Sequence, residues 1–235
     1  MQLEGITALV TGANRGIGAA FARALVEAGA AKVYAGARDP ETVTDPGVVA
    51  VKLDVTDDAS VRALAAELGD VQLVINNAGV GAPSLPLDID IEQARWEFDV
   101  NYYGTLRVAQ AFAPILAKNG GGALVNMLSV VSFIAMPHLA NYSATKSAAW
   151  SLTNGLRQQL REQDTLVVGV HVGYVDTDLT AGLEGDKIQV SQVSDALVAG
   201  LLAGDEEVLV DEISRNVKSG LSAPLSVLYP DPAAA

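Results

Sequence analysis

The chain has 235 residues, 50% of them hydrophobic and 18% charged, which predicts one packed globular domain over residues 1–235 and excludes a disordered chain. Its formal net charge of −13 disfavours nucleic acid and membrane surfaces as partners, because their phosphates would repel it. The sequence contains no cysteine, which excludes a disulfide and a cysteine-bound metal but says little about compartment. It has no basic leader and no uninterrupted apolar span, and therefore predicts a cytoplasmic protein.

Apolar runs rich in valine, isoleucine and leucine alternate along the chain with segments of helical spacing. The apolar runs predict strands at 6–10, 32–35, 48–53, 71–75, 123–127, 166–172 and 208–210. The helical segments lie at 17–27, 59–68, 91–117, 142–161 and 191–202, and a partly ordered tail is predicted from 224. Because the strands are apolar throughout, both faces of their sheet should be covered. The pattern predicts an α/β Rossmann fold, a doubly wound, seven-stranded, mostly parallel sheet with helices on both faces.

A glycine-rich motif lies between the first predicted strand and the helix that follows it. Glycines permit a sharp turn and a close approach of backbone amides to a pyrophosphate, and the helix N-terminus favours an anion. This placement predicts a dinucleotide site, with a ligand-free strand-to-helix turn as the alternative. The predicted contacts are Gly12, Asn14, Arg15, Gly16, Ile17 and Gly18.

The end of the second predicted strand bears on the choice between NADP(H) and NAD(H). An acid at this point binds a free ribose 2′-hydroxyl, whereas a basic residue accommodates a 2′-phosphate. Ala37 stands where the acid would fall, and Arg38 follows it, with Arg15 as a second cation. We therefore expect NADP(H) to be preferred. NAD(H) is possible, because Asp39 becomes the ribose acid if the strand ends two residues later.

Tyr142 and Lys146 are four residues apart in a predicted helix, which places both side chains on one face. A phenol is a poor base at neutral pH, but a nearby ammonium and an oxidised nicotinamide both favour the phenolate and lower its pKa. Ser129 follows a predicted strand, and its hydroxyl is suited to bind a substrate oxygen on which charge develops.

Four separated features resemble the classical short-chain dehydrogenases/reductases, and the resemblance runs from about residue 5 to about residue 212. They are the glycine motif, the run Asn76-Asn77-Ala78-Gly79, the set Ser129…Tyr142-x-x-x-Lys146, and Asn101. The resemblance implies that Tyr142 is the general acid/base and that Ser129 positions the carbonyl oxygen. It also implies that Lys146 orients the nicotinamide ribose and lowers the tyrosine pKa, and that Asn101 holds a water in a proton relay.

Further cofactor contacts follow from the same resemblance. It implies an adenine contact at Asp54 and Val55, ribose and nicotinamide contacts at Asn77, Ala78 and Gly79, and nicotinamide contacts at Gly173, Val175 and Thr177. Asp54 is alternatively a turn or capping residue, and the asparagine run is alternatively a structural turn. Val172 departs from the family pattern, which has proline there, so the backbone at this point is expected to be less constrained.

The implied activity is NADP(H)-dependent interconversion of a ketone or aldehyde and an alcohol, that is, a carbonyl reductase. A non-catalytic NADP(H)-binding sensor on the same fold and an epimerase or dehydratase of the extended group are the alternatives. The expected partners are an apolar small molecule and further copies of the chain in a homodimer or homotetramer. No metal site is predicted, since His138 and His171 lack ligand spacing.

The substrate side should be formed by an apolar group after the fifth strand and by a short loop. Val131, Phe133, Ile134 and Met136 suggest an apolar substrate surface, although core or subunit contacts would account for them equally. The substrate loop is predicted at about 178–190, where two glycines suit either a mobile lid or an ordinary loop.

Overall fold

A computed structural model describes residues 1–182 and 184–230 of the chain. Seven strands form one sheet in the order β3-β2-β1-β4-β5-β6-β7, and every neighbouring pair is parallel. The strands are β1 (Thr7–Thr11), β2 (Lys32–Ala37), β3 (Val49–Lys52), β4 (Leu73–Asn76), β5 (Ala123–Met127), β6 (Leu166–His171) and β7 (Glu207–Leu209). The predicted seven-stranded sheet is confirmed, and it is wholly rather than mostly parallel.

Helices cover both faces of the sheet. They are α1 (Gly16–Glu27), α2 (Asp58–Glu67), α3 (Ile91–Phe98), α4 (Thr105–Lys118), α5 (Ala140–Gln159), α6 (Val190–Ala203), α7 (Glu212–Ser219) and α8 (Leu225–Leu228). Helices α1 and α6 pack on one face, and α2, α4 and α5 pack on the other. The doubly wound arrangement is therefore confirmed. Within residues 1–182 and 184–230, no helix is long and apolar enough to cross a membrane.

Two hydrophobic cores form because successive strand residues point to opposite faces. In β1, Val10 joins the core beneath α1 and α6, whereas Leu9 joins the core beneath α2, α4 and α5. Phe21 of α1 and Phe112 of α4 are almost wholly buried in these two cores. Truncating either ring to alanine would cost about 3–5 kcal/mol of stability, so both sides of the sheet fix the position of the strand ends.

The helix predicted at 91–117 is interrupted by a π-helical segment, Asp99–Gly104, between α3 and α4. The apolar spacing did not reveal it, because a single wide turn leaves the helical pattern on either side intact. Such turns are frequent at functional sites, and this one contains Asn101.

The last two helices were not predicted. Asp211 caps α7 by accepting a hydrogen bond from the backbone of Ser214 at 2.8 Å. The short helix α8 lies in the stretch predicted to be a partly ordered tail, and residues 231–235 of that stretch are outside the described residues.

From β1, the chain first adds β2 and β3 on one side of the sheet and then adds β4 to β7 on the other, so that β1 and β4 are the neighbours at which the strand order switches. In an open parallel sheet, the loops that leave the carboxyl ends of such a pair diverge and open a crevice. The glycine motif after β1 and the asparagine run after β4 both lie at this point.

Candidate active site

A cavity of about 1010 Å³ opens at the carboxyl ends of the strands. It brings together three of the four predicted catalytic residues, Ser129, Tyr142 and Lys146, whereas Asn101 lies outside its lining. All the predicted cofactor contacts line it, namely Gly12, Asn14, Arg15, Gly16, Ile17, Gly18, Arg38, Asp54, Val55, Asn77, Ala78, Gly79, Gly173, Val175 and Thr177, with Tyr142 and Lys146.

The glycine motif packs directly against the loop that leaves β4. A Cβ on Gly12, whose φ is +64°, would lie 2.9 Å from Cα of Ala78, and one on Gly18 would lie 2.2 Å from the carbonyl oxygen of Gly12. The Asn77 side chain donates to the carbonyls of Thr11 and Gly12 at 3.0 and 3.1 Å. Asn77 thus ties the two loops together, which is the structural role considered as the alternative, while Ala78 and Gly79 also line the cavity.

The cation and the acid considered for the ribose site have different surroundings. Strand β2 ends at Ala37, so Arg38 is the first residue beyond it. The Asp39 carboxylate accepts a hydrogen bond from the backbone of Glu41 at 3.1 Å and caps the short turn at 40–42. Asp39 therefore already has a structural partner.

Asp54 follows β3 and lies on the same side of the cavity. It accepts hydrogen bonds from the backbone and hydroxyl of Thr56 at 2.9 and 2.7 Å. Burial raises the pKa of Asp54, but the Thr56 hydrogen bonds and the positive charges of Arg38 and Arg107 outweigh it and hold the pKa below its usual value. Asp54 is thus an ionised turn residue that also faces the cavity beside Val55.

The second predicted cation, Arg15, is paired with Asp178 at the start of the substrate loop. Both side chains are well exposed, at 70% and 74% of their accessible surface. This ion pair connects the glycine motif to the substrate loop across the mouth of the cavity. Asn14 donates to the hydroxyl of Thr42, which lines the same cavity, at 3.2 Å.

Tyr142 and Lys146 lie in the first two turns of α5. The Lys146 ammonium is 5.7 Å from the centre of the Tyr142 ring and donates to the carbonyl of Met127 at 2.8 Å. Burial lowers the pKa of Lys146 to about 8. Burial also raises the pKa of Tyr142 above its usual value, the Glu97 carboxylate adds to this, and the neighbouring Ser129 hydroxyl acts against it.

The pKa of Tyr142 is therefore shifted in the direction opposite to the one expected from Lys146. Desolvation of the phenolate is the largest cause of this shift, and Lys146 is not among the groups that oppose it. The positive charge of an oxidised nicotinamide is the remaining influence that would lower this pKa.

Ser129 lies two residues beyond β5 and begins a short helical turn at 130–132. Its hydroxyl donates to the carbonyl of Val172 at 3.3 Å and accepts from the backbone of Val131 at 3.4 Å. These long bonds orient the hydroxyl and leave it lining the cavity beside Tyr142.

Asn101 stands in the π-helical segment and is almost fully buried. Its side-chain oxygen accepts from the backbone of Val80 at 2.9 Å, and its amide donates to the carbonyl of Val80 at 2.8 Å and to the hydroxyl of Thr145 at 2.9 Å. The side chain thereby connects the loop after β4 to α5. Its part in a water relay stays a prediction.

The segment after β6 is constrained in spite of the missing proline. The carbonyl of Val172 accepts from the backbone of Val130 at 2.8 Å, and the backbone of Gly173 donates to the carboxylate of Asp211 at 2.6 Å. These bonds hold the backbone on both sides of the Val172–Gly173 peptide, and the expectation that Val172 leaves it less constrained than a proline would stays a prediction.

The family model described as short chain dehydrogenase matches residues 6–187. This chain belongs to the short-chain dehydrogenase family. It is therefore an oxidoreductase of that family, as the resemblance predicted.

Three similar proteins illustrate this membership. A short-chain dehydrogenase from Burkholderia cenocepacia, solved in complex with NADP, is 41% identical and matches with a TM-score of 0.91 over 97% of both chains. The 1-deoxy-11-beta-hydroxypentalenate dehydrogenase of Streptomyces avermitilis is 37% identical over 78% of this chain and 73% of its own. The cis-4-hydroxycyclohexanecarboxylate dehydrogenase of Sinomonas cyclohexanicum is 35% identical over 86% of this chain and 85% of its own.

The part of the cavity predicted to face the substrate has apolar lining residues. Val131, Ile134 and Met136 line the cavity as expected. Phe133 does not line it. Its ring stacks on His171 at a centroid distance of 4.1 Å and meets the Trp150 ring edge-on at 4.9 Å.

Three half-exposed apolar side chains complete the cavity wall. They are Trp96 of α3, Leu179 of the substrate loop and Ile213 of α7. Trp96 and Ile213 were not predicted to line the cavity, because the first falls inside a predicted helix and the second belongs to an unpredicted one.

The substrate loop has a defined path on both sides of Leu183, which is outside the described residues. A short helical turn, Asp178–Thr180, opens it, and Lys187 donates to the carbonyl of Thr180 at 2.6 Å. This bond joins the two limbs of the loop. The lid function stays a prediction.

Proposed function

We propose that this protein is an NADP(H)-dependent oxidoreductase that interconverts a ketone or aldehyde and an alcohol, with Tyr142 as general acid/base. One observation carries the proposal. Ser129, Tyr142 and Lys146 line the same cavity as the glycine motif, although they come from different segments of the chain. A proton donor and a dinucleotide-binding loop in one apolar cavity are what this reaction needs.

The residues of the cavity suit a dinucleotide. Its volume of about 1010 Å³ is sufficient for a cofactor and a small substrate. The backbone at Gly12 and Gly18 is so closely packed that a Cβ on either would collide with neighbouring backbone. The amides at the start of α1 lie against the same space, where they favour a pyrophosphate.

The NADP(H) preference rests on the end of β2. The strand ends at Ala37, with Arg38 directly after it, while the Asp39 carboxylate is used by the turn at 40–42. A guanidinium there binds a 2′-phosphate by charge-assisted hydrogen bonds. The Burkholderia cenocepacia relative, solved with NADP, favours the same assignment.

The chain's own groups supply the proton chemistry. In the reducing direction, the protonated phenol of Tyr142 donates to the carbonyl oxygen while the Ser129 hydroxyl donates a hydrogen bond to it. The ammonium of Lys146 lies beneath the tyrosine and stabilises its phenolate after the proton has left. A bound nicotinamide supplies or accepts the hydride. The apolar wall excludes water from the reacting atoms.

An apolar substrate fits one part of this cavity, where Val131, Ile134, Met136, Trp96 and Ile213 form the wall. The charged residues that line the cavity elsewhere are Arg15, Arg38, Asp39, Asp54, Lys146 and Asp178. A cyclic ketone of moderate size is a suitable first substrate. The two named relatives act, by their names, on hydroxylated carboxylates, so the first substrates tested should include cyclic ketones with and without a carboxylate.

The proposal is tested by following oxidation of NADPH and NADH at 340 nm with cyclic, aryl and aliphatic ketones and aldehydes. We expect turnover with NADPH in preference to NADH, and loss of about 100-fold to 10,000-fold in Tyr142→Phe with NADPH binding retained. Comparable activity in Tyr142→Phe would remove the proposed mechanism. Tight NADPH binding with no turnover across the panel would instead support the non-catalytic sensor.

A further inference from the structure

The carboxylate of Glu97 in α3 is completely buried beside the candidate active site. No lysine, arginine or histidine of residues 1–182 and 184–230 lies within ion-pair distance of it. An ionised carboxylate is costly to bury without a cationic partner unless hydrogen bonds satisfy its oxygens. Its complete burial close to the cavity therefore calls for a specific role.

Three hydrogen bonds satisfy the Glu97 oxygens. One oxygen accepts from the backbone of Ala82 at 3.1 Å and from the Gln93 side chain at 3.5 Å. The other accepts from the Asn141 side chain at 2.6 Å. The two short bonds reach two different segments, the loop after β4 and the first turn of α5.

Both segments are in contact with Tyr142. Asn141 precedes it directly in α5. Gly81, which precedes Ala82, is so close to the ring that a Cβ on it would lie 2.7 Å from Cδ2 of Tyr142. Glu97 thus joins the residue before Tyr142 to the backbone segment that packs against its ring.

We infer that Glu97 is a positioning residue for the proposed reaction: it clamps the 81–82 segment and Asn141 around Tyr142, and its negative charge disfavours the phenolate that alcohol oxidation requires. This role rests on the proposed function of Tyr142 as acid/base. The role of Glu97 is electrostatic as well as mechanical, because solvent screens a buried charge poorly and the carboxylate therefore acts on the Tyr142 phenol.

The groups around Tyr142 agree with this role. Burial raises the pKa of Tyr142, Glu97 adds to the rise, and Ser129 opposes it. Lys146 faces the ring from α5 itself, and Tyr174 lines the same cavity from the segment after β6. The loop at 79–82 contributes no titratable side chain.

The electrostatic part is tested with Glu97→Gln, which removes the charge and keeps the shape. Oxidation of the alcohol requires the phenolate, so its rate rises with pH. We expect this rise to move to lower pH by about one unit in the variant, about a tenfold gain in oxidation rate at a fixed pH on the rising limb. Glu92→Gln is the matched control, since Glu92 is an exposed residue of the same helix and should leave the profile unchanged.

A double variant tests whether a change seen in Glu97→Gln is due to the lost charge or to poor folding. Glu97→Gln combined with Asn141→Asp restores both the hydrogen bond and the negative charge, so the pH profile should return toward that of the parent. The clamp is tested by hydrogen exchange, which does not depend on enzyme activity. In Glu97→Ala, the amide of Ala82 loses its acceptor, and hydrogen exchange of the segment 80–84 should accelerate.

The outcomes separate the two hypotheses. An active parent whose pH profile is unchanged in Glu97→Gln and in the double variant would overturn the electrostatic role. Unchanged exchange in Glu97→Ala would overturn the clamp. A parent that reduces no carbonyl compound would refute the proposed function and, with it, any role of Glu97 in that reaction.

Discussion

Replacing Gly81 by alanine should displace the Tyr142 ring by steric contact alone, because the added methyl group meets only carbon atoms of that ring. The added Cβ would lie 2.7 Å from Cδ2 and 3.2 Å from Cε2 of the Tyr142 ring. Carbon atoms pack at about 3.5 Å or more, so the ring and the segment must separate by roughly 0.8 Å. A misplacement of this order costs about 100-fold in turnover when it affects the group that transfers a proton.

The assay compares kcat for ketone reduction, NADPH affinity measured by fluorescence, and thermal unfolding in the parent and in Gly81→Ala. We expect kcat to fall about 100-fold while NADPH affinity changes by less than about threefold. Gly155→Ala is the matched control. Gly155 is exposed in α5, and nothing lies within 4 Å of its Cβ position. This control should keep full activity and gain about 0.5–1 kcal/mol of stability.

Turnover of Gly81→Ala close to that of the parent, with an unchanged melting temperature, would refute the argument. It would mean that the position of the Tyr142 ring does not depend on the packing of the Gly81 segment. A variant that melts earlier than the parent yet retains NADPH affinity would still be informative, because the kcat of its folded fraction can be measured below the transition.

Three further predictions address the cofactor and the folded state. Arg38→Ala should raise KM for NADPH about 10-fold to 100-fold, and that for NADH much less, because a charge-assisted bond to the 2′-phosphate is lost; equal effects on both cofactors would contradict this. Asp178→Asn should release Arg15 and lower KM for NADPH by about 1.5-fold to fivefold, the worth of an exposed ion pair, whereas a higher KM would show that the pair supports binding. Burial lowers the pKa of His171 to about 4 from 6.5, so the unfolded chain binds more protons between these values and stability should fall by up to about 3 kcal/mol as pH falls through this window. Denaturant unfolding of His171→Gln should lack most of this loss, while the exposed control His138→Gln should retain it.

Local signals accounted for most of the sheet and for the cofactor loop. The motif from Thr11 to Gly18 is one continuous segment, and its conformation depends on the glycines within it, so the local sequence is sufficient to predict it. The apolar runs were long enough to predict all seven strands, with ends that differ by at most two residues. The same is true of Tyr142 and Lys146, because a spacing of four residues in a helix places two side chains on one face.

Features that depend on distant contacts were not predictable. Glu97 looks like a solvent-facing residue of a charged helix, and only the tertiary structure shows that Asn141 and Ala82 bury it. Phe133 is an apolar residue within the predicted substrate surface, yet its ring stacks on His171 of β6 and does not line the cavity. The ion pair between Arg15 and Asp178 joins residues 163 positions apart.

The expected homodimer or homotetramer and the cytoplasmic location stay predictions. Both came from resemblance and composition rather than from a contact within the chain. Size-exclusion chromatography with light scattering would determine the number of copies, and a monomer would remove the first of these predictions.

Asp211 connects the C-terminal part of the chain to the predicted cofactor site. One of its oxygens caps α7, and the other accepts from the backbone of Gly173, in the segment predicted to contact the nicotinamide. This contact joins segments 38 residues apart. Protein engineers who shorten the chain before residue 211, or fuse a domain there, should therefore expect changes in cofactor affinity, and not only in stability.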